Sequence, residues 1–230
     1  MNIYFLLEGK RTEMKVYPAW LSFLVPHFNR VMNFDDVTKN HYFLFSGNGF
    51  PSLFHHLKNA INDINQQGNF DYLVLCLDAE NVTPEERYQE VQNYLYKNNL
   101  SLSSKTKLEI VVQNKCIETW FLGNRTFFKR NPESQTLRTY INHFNVFDKD
   151  PEKLMAPPAY KGSIASFHVE YFREICRERN TCYTKTHPGV VTEEPFLQEL
   201  IRRCSETGDI ASFEHFLKFC ANISGNVIVL

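Results

Sequence analysis

The chain has 230 residues, of which 43% are hydrophobic and 22% are charged, and its formal net charge at pH 7 is −1. These proportions are typical of a folded globular protein and exclude the disordered and fibrous classes. Because the charges nearly cancel, binding of nucleic acid would depend on a local cluster of basic residues. The N-terminus lacks the pattern of a signal peptide, and no apolar run approaches the roughly 18 residues that span a bilayer, so we expect a cytoplasmic protein.

Strand and helix patterns alternate along the first half of the chain. Short apolar runs that stop at turn residues predict strands, and apolar residues at helical spacing predict helices. The run from Phe70 to Leu77 is apolar without interruption, which is typical of a strand covered on both faces of a parallel sheet. The predicted strands are 2–7, 41–45, 70–77 and 108–112, and the predicted helices are 12–25, 53–64, 83–96 and 116–122.

The alternation indicates an α/β fold with a mostly parallel sheet flanked by helices. We assign residues 1–123 to this α/β domain. Residues 124–230 contain several prolines and three further helical patterns, at 164–177, 196–204 and 210–221, so they form a helical C-terminal region. The pattern leaves open whether that region is a second domain or packs on the same core.

Three acidic residues follow the ends of predicted strands. Glu8 follows the first strand, and Asp78 and Glu80 follow the third. Residues two apart on an extended chain share a face, so Asp78 and Glu80 are predicted to point the same way and to meet Glu8 if the two strands are neighbours. Carboxylates grouped in this way bind Mg²⁺ or Mn²⁺. The alternative is that Glu8 lies in an ordinary turn and that Asp78 or Glu80 caps the next helix.

The sequences LLEGKRTE and LCLDAE, on the first and third strands, resemble the Toprim family of topoisomerases, primases and nucleases of the overcoming-lysogenization-defect type. The resemblance covers about the first half of the chain. It implies that Glu8, Asp78 and Glu80 bind magnesium for phosphodiester chemistry, with Glu80 replacing the second aspartate of the family's DxD motif. The segment NKCIETWFL resembles a second motif of Toprim-like proteins from bacterial anti-phage systems, which makes Glu118 a fourth candidate ligand, although it could equally lie on a helix face beside a buried tryptophan.

Basic residues near these acids are candidates for holding a phosphate. Lys10 and Arg11 lie in a predicted turn before a helix, where side-chain cations and backbone N–H groups can bind an anion. We assign Lys10 to the stabilisation of transition-state charge and Arg11 to substrate binding; each could instead be a solvated turn residue. Lys161 resembles a lysine in the C-terminal part of the same bacterial group and is a further substrate-binding candidate, beside Tyr160, which could stack on a base.

The sequence therefore predicts a magnesium-dependent endonuclease acting on DNA or RNA. By resemblance it would be an effector of bacterial anti-phage defence, working beside an ATPase of the ABC or SMC type, in a homo-oligomer or a hetero-complex. The chain has no GxxxxGK[ST] loop, so ATP hydrolysis would belong to the partner. The alternatives are a non-catalytic Toprim-like module that binds nucleic acid or a partner protein, and a small-molecule phosphotransfer enzyme.

Overall fold

A computed structural model describes residues 1–225. The described chain forms five strands that make one sheet in which every pair is parallel, in the order β2-β3-β1-β4-β5. The predicted α/β class is confirmed, and so are all four predicted strands. The prediction missed a short edge strand whose three residues are polar or only partly buried. The strands are β1 (Asn2–Leu7), β2 (Asn29–Val31), β3 (His41–Ser46), β4 (Tyr72–Asp78) and β5 (Lys107–Gln113).

Helices join the strands and continue beyond them. The Thr83 side chain accepts a hydrogen bond from the Glu86 N–H, and the Glu86 carboxylate accepts one from the Thr83 N–H, so these two residues cap the helix that begins at Pro84. Three short 3₁₀ helices lie at Phe34–Asp36, Pro151–Lys153 and Gly189–Thr192. The α-helices are α1 (Glu13–Leu24), α2 (Ser52–Gln67), α3 (Pro84–Lys97), α4 (Ile117–Phe121), α5 (Gln135–His143), α6 (Ile164–Glu178), α7 (Glu194–Thr207) and α8 (Ala211–Ser224).

Both faces of the sheet are covered, as the unbroken apolar strands predict. On β1, Tyr4 and Leu6 belong to a core with α2 and α3. The alternate residues Phe5 and Leu7 belong to the larger core on the opposite face, with α1 and the C-terminal helices. The central strands are therefore held rigidly, and their carboxyl ends have fixed relative positions.

The C-terminal helices complete the larger core. The Phe219 ring on α8 lies 6.4 Å from the Phe5 ring on β1, and Phe216 lies 5.2 Å from Tyr17 on α1. The Trp120 indole N–H on α4 donates to Ser212 Oγ at 2.7 Å, at the start of α8. Residues beyond 123 thus share the core of the sheet. Among the described residues, no helix has the length and apolar character needed to cross a membrane.

Candidate functional site

Glu8 and Asp78 are direct neighbours at the carboxyl edge of the sheet. β1 pairs with β4, and the Glu8 N–H donates to Cys76 O at 2.9 Å. One step further along, the Asp78 N–H donates to Glu8 Oε2 at 3.0 Å, so the Glu8 carboxylate takes the place of the next backbone acceptor. The adjacency that the sequence analysis required for these two acids is present.

The backbone is not extended from Asp78 to Glu80, so the predicted reason for the two side chains to point the same way is absent. β4 ends at Asp78, the side chain of Ala79 is buried, and Glu80 has the left-handed φ of 52°. The chain turns because the Glu80 N–H donates to Lys115 O at 2.9 Å, just beyond β5. Glu80 is exposed at the rim of the site, where its charge raises the pKa of Glu8.

Glu13, which the sequence analysis did not single out, lies in the same place. It is the first residue of α1, and its carboxylate rests against Gly9: a methyl group built on Gly9 would come within 1.9 Å of Glu13 Oε2. Glycine at position 9 leaves room for this carboxylate. Burial, aided by Glu118 and Glu8, raises the pKa of Glu13 to about 7.

Glu118 joins the group from the short helix α4. Its side chain is only 1% exposed, and its Oε1 accepts a hydrogen bond of 2.7 Å from the Tyr183 hydroxyl. The charge of Glu118 raises the pKa values of Asp78 and Glu13, so the three groups interact electrostatically. We call the four acids from these segments the carboxylate cluster: Glu8, Glu13, Asp78 and Glu118.

The carboxylate cluster is electrostatically crowded. Burial raises the pKa of Asp78 well above its usual range, and the charges of Glu8, Glu13 and Glu118 raise it further. Burial also raises the pKa of Glu8, against the lowering effect of the Asp78 N–H. Asp78 Oδ1 is buried and has no hydrogen-bond partner in the described structure. Negative charge on these carboxylates is therefore unfavourable unless a cation is present.

The cation nearest to Glu118 in the described structure comes from a distant segment. Lys185 Nζ lies 3.9 Å from Glu118 Oε1, with 52% of the lysine side chain exposed. The charge of Glu118 raises the pKa of Lys185 against the effect of partial burial, and Asp78 and Glu13 add to it. Arg87 also lowers the pKa of Glu8, but its guanidinium is paired with Glu90 at 2.6 Å. No local pattern around Lys185 pointed to it in the sequence.

The cations chosen from the sequence lie outside the cluster. Lys10 and Arg11 are exposed in the turn between β1 and α1, at the same edge of the sheet. Lys161 is exposed before α6, and the ring of its neighbour Tyr160 packs edge-on against Phe167 at 5.1 Å, so that ring is used in the protein's own packing. Lys10 and Arg11 are accessible to a ligand approaching the site.

The donors suit a hard cation, but they do not form a finished coordination shell. Mg²⁺ and Mn²⁺ prefer oxygen ligands such as carboxylates. The Asp78 Oδ1 atom, which has no hydrogen-bond partner in the described structure, is free to act as such a ligand. Within residues 1–225, however, no group of three or more His, Cys, Asp or Glu side chains is arranged to hold a metal ion as it stands. The carboxylate cluster would have to contract around an incoming cation.

Comparisons of the chain with protein-family models, with curated proteins and with solved structures give no match. The function must therefore be argued from the geometry of the carboxylate cluster.

Proposed function

We propose that this chain is a nuclease that needs a divalent metal ion and hydrolyses phosphodiester bonds in DNA or RNA. The observation that carries the proposal is the hydrogen-bonded neighbours Glu8 and Asp78 at the carboxyl edge of a parallel sheet, with Glu13 and Glu118 acting on them electrostatically from α1 and α4. In α/β proteins this edge is where ligands bind. The sequence resemblance to Toprim nucleases supports the same assignment.

The residues of the carboxylate cluster would hold Mg²⁺ or Mn²⁺, with Glu80 available at the rim. Bound there, the cation would polarise the scissile phosphate and lower the pKa of a bound water. The protein itself orients the ligands: Asp78 N–H fixes Glu8, Tyr183 fixes Glu118, and Gly9 leaves space for Glu13.

Lys185 is well placed to meet a substrate phosphate, since its side chain is half exposed and its ammonium group lies beside Glu118 of the carboxylate cluster. A cation there would stabilise negative charge that develops on the phosphate. Lys10 and Arg11, exposed at the same edge, would contact the flanking strand and set its position.

The test compares the wild type with Glu8→Gln on supercoiled plasmid, single-stranded DNA and RNA, each with Mg²⁺, Mn²⁺ or EDTA. Glutamine can still accept the Asp78 N–H, so the fold is kept while the ligand charge is lost. We expect cleavage by the wild type only with metal, and a loss of about 100-fold or more in Glu8→Gln. Glu85→Gln, on the exposed surface of α3, is the control and should cleave normally. Cleavage that survives Glu8→Gln would refute the assignment.

The biological setting follows from the resemblance alone. We propose an effector of anti-phage defence that acts in a complex with an ATPase of the ABC or SMC type, since the chain has no phosphate-binding loop of its own. Copurification with such an ATPase, and cleavage that depends on its nucleotide, would support this setting.

A second candidate is a non-catalytic Toprim-like module that binds nucleic acid or a partner protein. It is favoured by the absence, in residues 1–225, of three ligands already arranged around a metal position. Tight nucleic-acid binding by a wild type that cleaves none of the substrates with any metal would select it.

A further inference from the structure

Residues 183–192, which we call the strap, are anchored at both ends. At the start, Tyr183 is buried between the rings of Phe121 and Phe172, at 5.8 and 5.0 Å, and donates to Glu118. At the end, Val191 is buried and its carbonyl accepts the Trp20 indole N–H at 2.8 Å. The main chain of the strap therefore has a fixed path over the site.

The middle of the strap is held by the N-terminus of α1. The Thr12 hydroxyl donates to Lys185 O at 3.3 Å, and the Lys15 ammonium donates to Thr186 O. Thr12 occupies the N-cap position of α1 but makes no side-chain cap bond there, so its hydroxyl serves the strap instead. Thr184 and His187 close the turn with backbone bonds of 3.2 and 3.0 Å.

This anchoring fixes the backbone of Lys185 and leaves its side chain free to move. The ammonium group is 3.9 Å from Glu118 Oε1 and is attracted by Asp78 and Glu13 as well. The carboxylates of the cluster repel one another, and the Lys185 ammonium beside Glu118 reduces that repulsion. The Lys185 side chain as a whole is half exposed, so the ammonium can turn outwards without moving the strap.

We infer that Lys185 is a tethered counter-cation, which neutralises the carboxylate cluster in the metal-free protein and competes with the divalent cation for it. The inference rests on the proposed metal site and adds a regulatory feature to it. Two cations at one group of carboxylates repel each other, and this coupling is reciprocal. A bound metal ion displaces the ammonium, and the ammonium lowers the affinity of the carboxylates for the metal ion.

The experiment measures Mn²⁺ binding to the EDTA-stripped full chain, from the loss of the electron paramagnetic resonance signal of free Mn²⁺. We expect Lys185→Met to bind Mn²⁺ about five- to tenfold more tightly than the wild type, since the competing charge is gone. Lys185→Arg keeps the charge and should stay within about twofold of the wild type. Lys58→Met removes an exposed charge on α2, away from the cluster, and should change the affinity less than about twofold.

A second measurement, the melting temperature with and without Mn²⁺, tests whether Lys185 and the metal ion stabilise the same carboxylates. Without metal, Lys185→Met should melt at a lower temperature than the wild type, because the carboxylates lose their counter-charge. With saturating Mn²⁺ its melting temperature should rise by more than that of the wild type. Equal Mn²⁺ affinity in wild type and Lys185→Met would overturn the inference and leave the metal site intact. No Mn²⁺ binding by any variant would overturn both, and binding by Lys185→Met alone would support the inference strongly.

Discussion

At the scale of single residues, Glu13 makes the metal-free protein sensitive to pH. Its pKa is about 7 in the folded chain and 4.5 in its ordinary state. Between these two pH values the folded protein keeps a proton on Glu13 that the unfolded chain has released. Stability should therefore fall as the pH rises from about 4.5 to about 7, and remain low above that range. Glu13→Gln removes this dependence, and we expect it to gain about 2 kcal/mol relative to the wild type on going from pH 4.5 to pH 8. Urea unfolding in EDTA at the two pH values measures the gain.

The same experiment tests whether Glu13 is buried within the cluster. If Glu13→Gln and the wild type lose stability in parallel as the pH rises, the carboxylate is solvated and does not belong to the cluster. Saturating Mn²⁺ at pH 8 should narrow the difference in the free energy of unfolding between Glu13→Gln and the wild type, because the cation stabilises the ionised wild-type carboxylates.

The sequence pointed to Glu8 and Asp78 by their positions after strands and to Glu118 by its resemblance to a family motif, but it missed Glu13 and Lys185. Glu8 and Asp78 could be placed together because the carboxyl ends of neighbouring parallel strands share one edge. Glu13 could not, since an acid in the first turn of a helix is ordinary in sequences and its approach to Gly9 depends on how α1 leaves the sheet. Lys185 lies 67 residues after Glu118 in the sequence, on irregular chain, so only the packed structure brings the two side chains together.

At the scale of elements, the hydroxyl of Thr12, the N-cap of α1, should contribute to holding the strap. Thr12→Val keeps the shape of the side chain but cannot donate to Lys185 O, whereas Thr12→Ser can. We expect Thr12→Val to speed amide hydrogen exchange in 183–190 about tenfold, because the contacts of the hydroxyl with Lys185 O and the Tyr183 hydroxyl are lost. Peptide-resolved exchange mass spectrometry makes the measurement, and Thr12→Ser is the matched control.

Unchanged exchange in Thr12→Val would show that Tyr183 and Val191 hold the strap by themselves. Exchange that speeds up equally in Thr12→Ser would point to a packing defect in α1, because the serine retains the hydroxyl. Residues 84–97 of α3 should exchange at the wild-type rate in both variants, since α3 packs on the opposite face of the sheet.

Elements were predictable where one physical signal was strong. β4 is apolar at nearly every position because both of its faces are covered, and α3 begins at a complete capping box. β2 has only three residues and no apolar run, so its place at the sheet edge is set by pairing with β3. The extended backbone predicted for Glu80 is absent, because the chain turns where the Glu80 N–H bonds to Lys115 O. No local sequence pattern predicts that hydrogen bond.

At the scale of the whole molecule, the C-terminal helices and the sheet should unfold together. The Phe216 ring on α8 lies 5.2 Å from Tyr17 and 6.1 Å from Trp120, inside the core that includes β1 and β4. Phe216→Ala should cost about 3 to 5 kcal/mol, since it leaves a cavity in that core. Lys218→Ala, on the exposed side of α8, should cost no more than about 0.5 kcal/mol.

Calorimetry distinguishes one shared core from two independent ones. A shared core predicts a single transition whose van't Hoff and calorimetric enthalpies agree, and Phe216→Ala should move the whole transition to lower temperature. Were residues 124–230 a separate domain, two transitions would appear and Phe216→Ala would shift only one of them. The position of Glu118 makes the distinction relevant to function: α4 contacts both β5 and α6, so loss of the C-terminal helices would also release one member of the carboxylate cluster. Metal affinity and global stability should accordingly fall together in Phe216→Ala near its melting temperature. In Lys218→Ala, metal affinity should not follow the small change in stability.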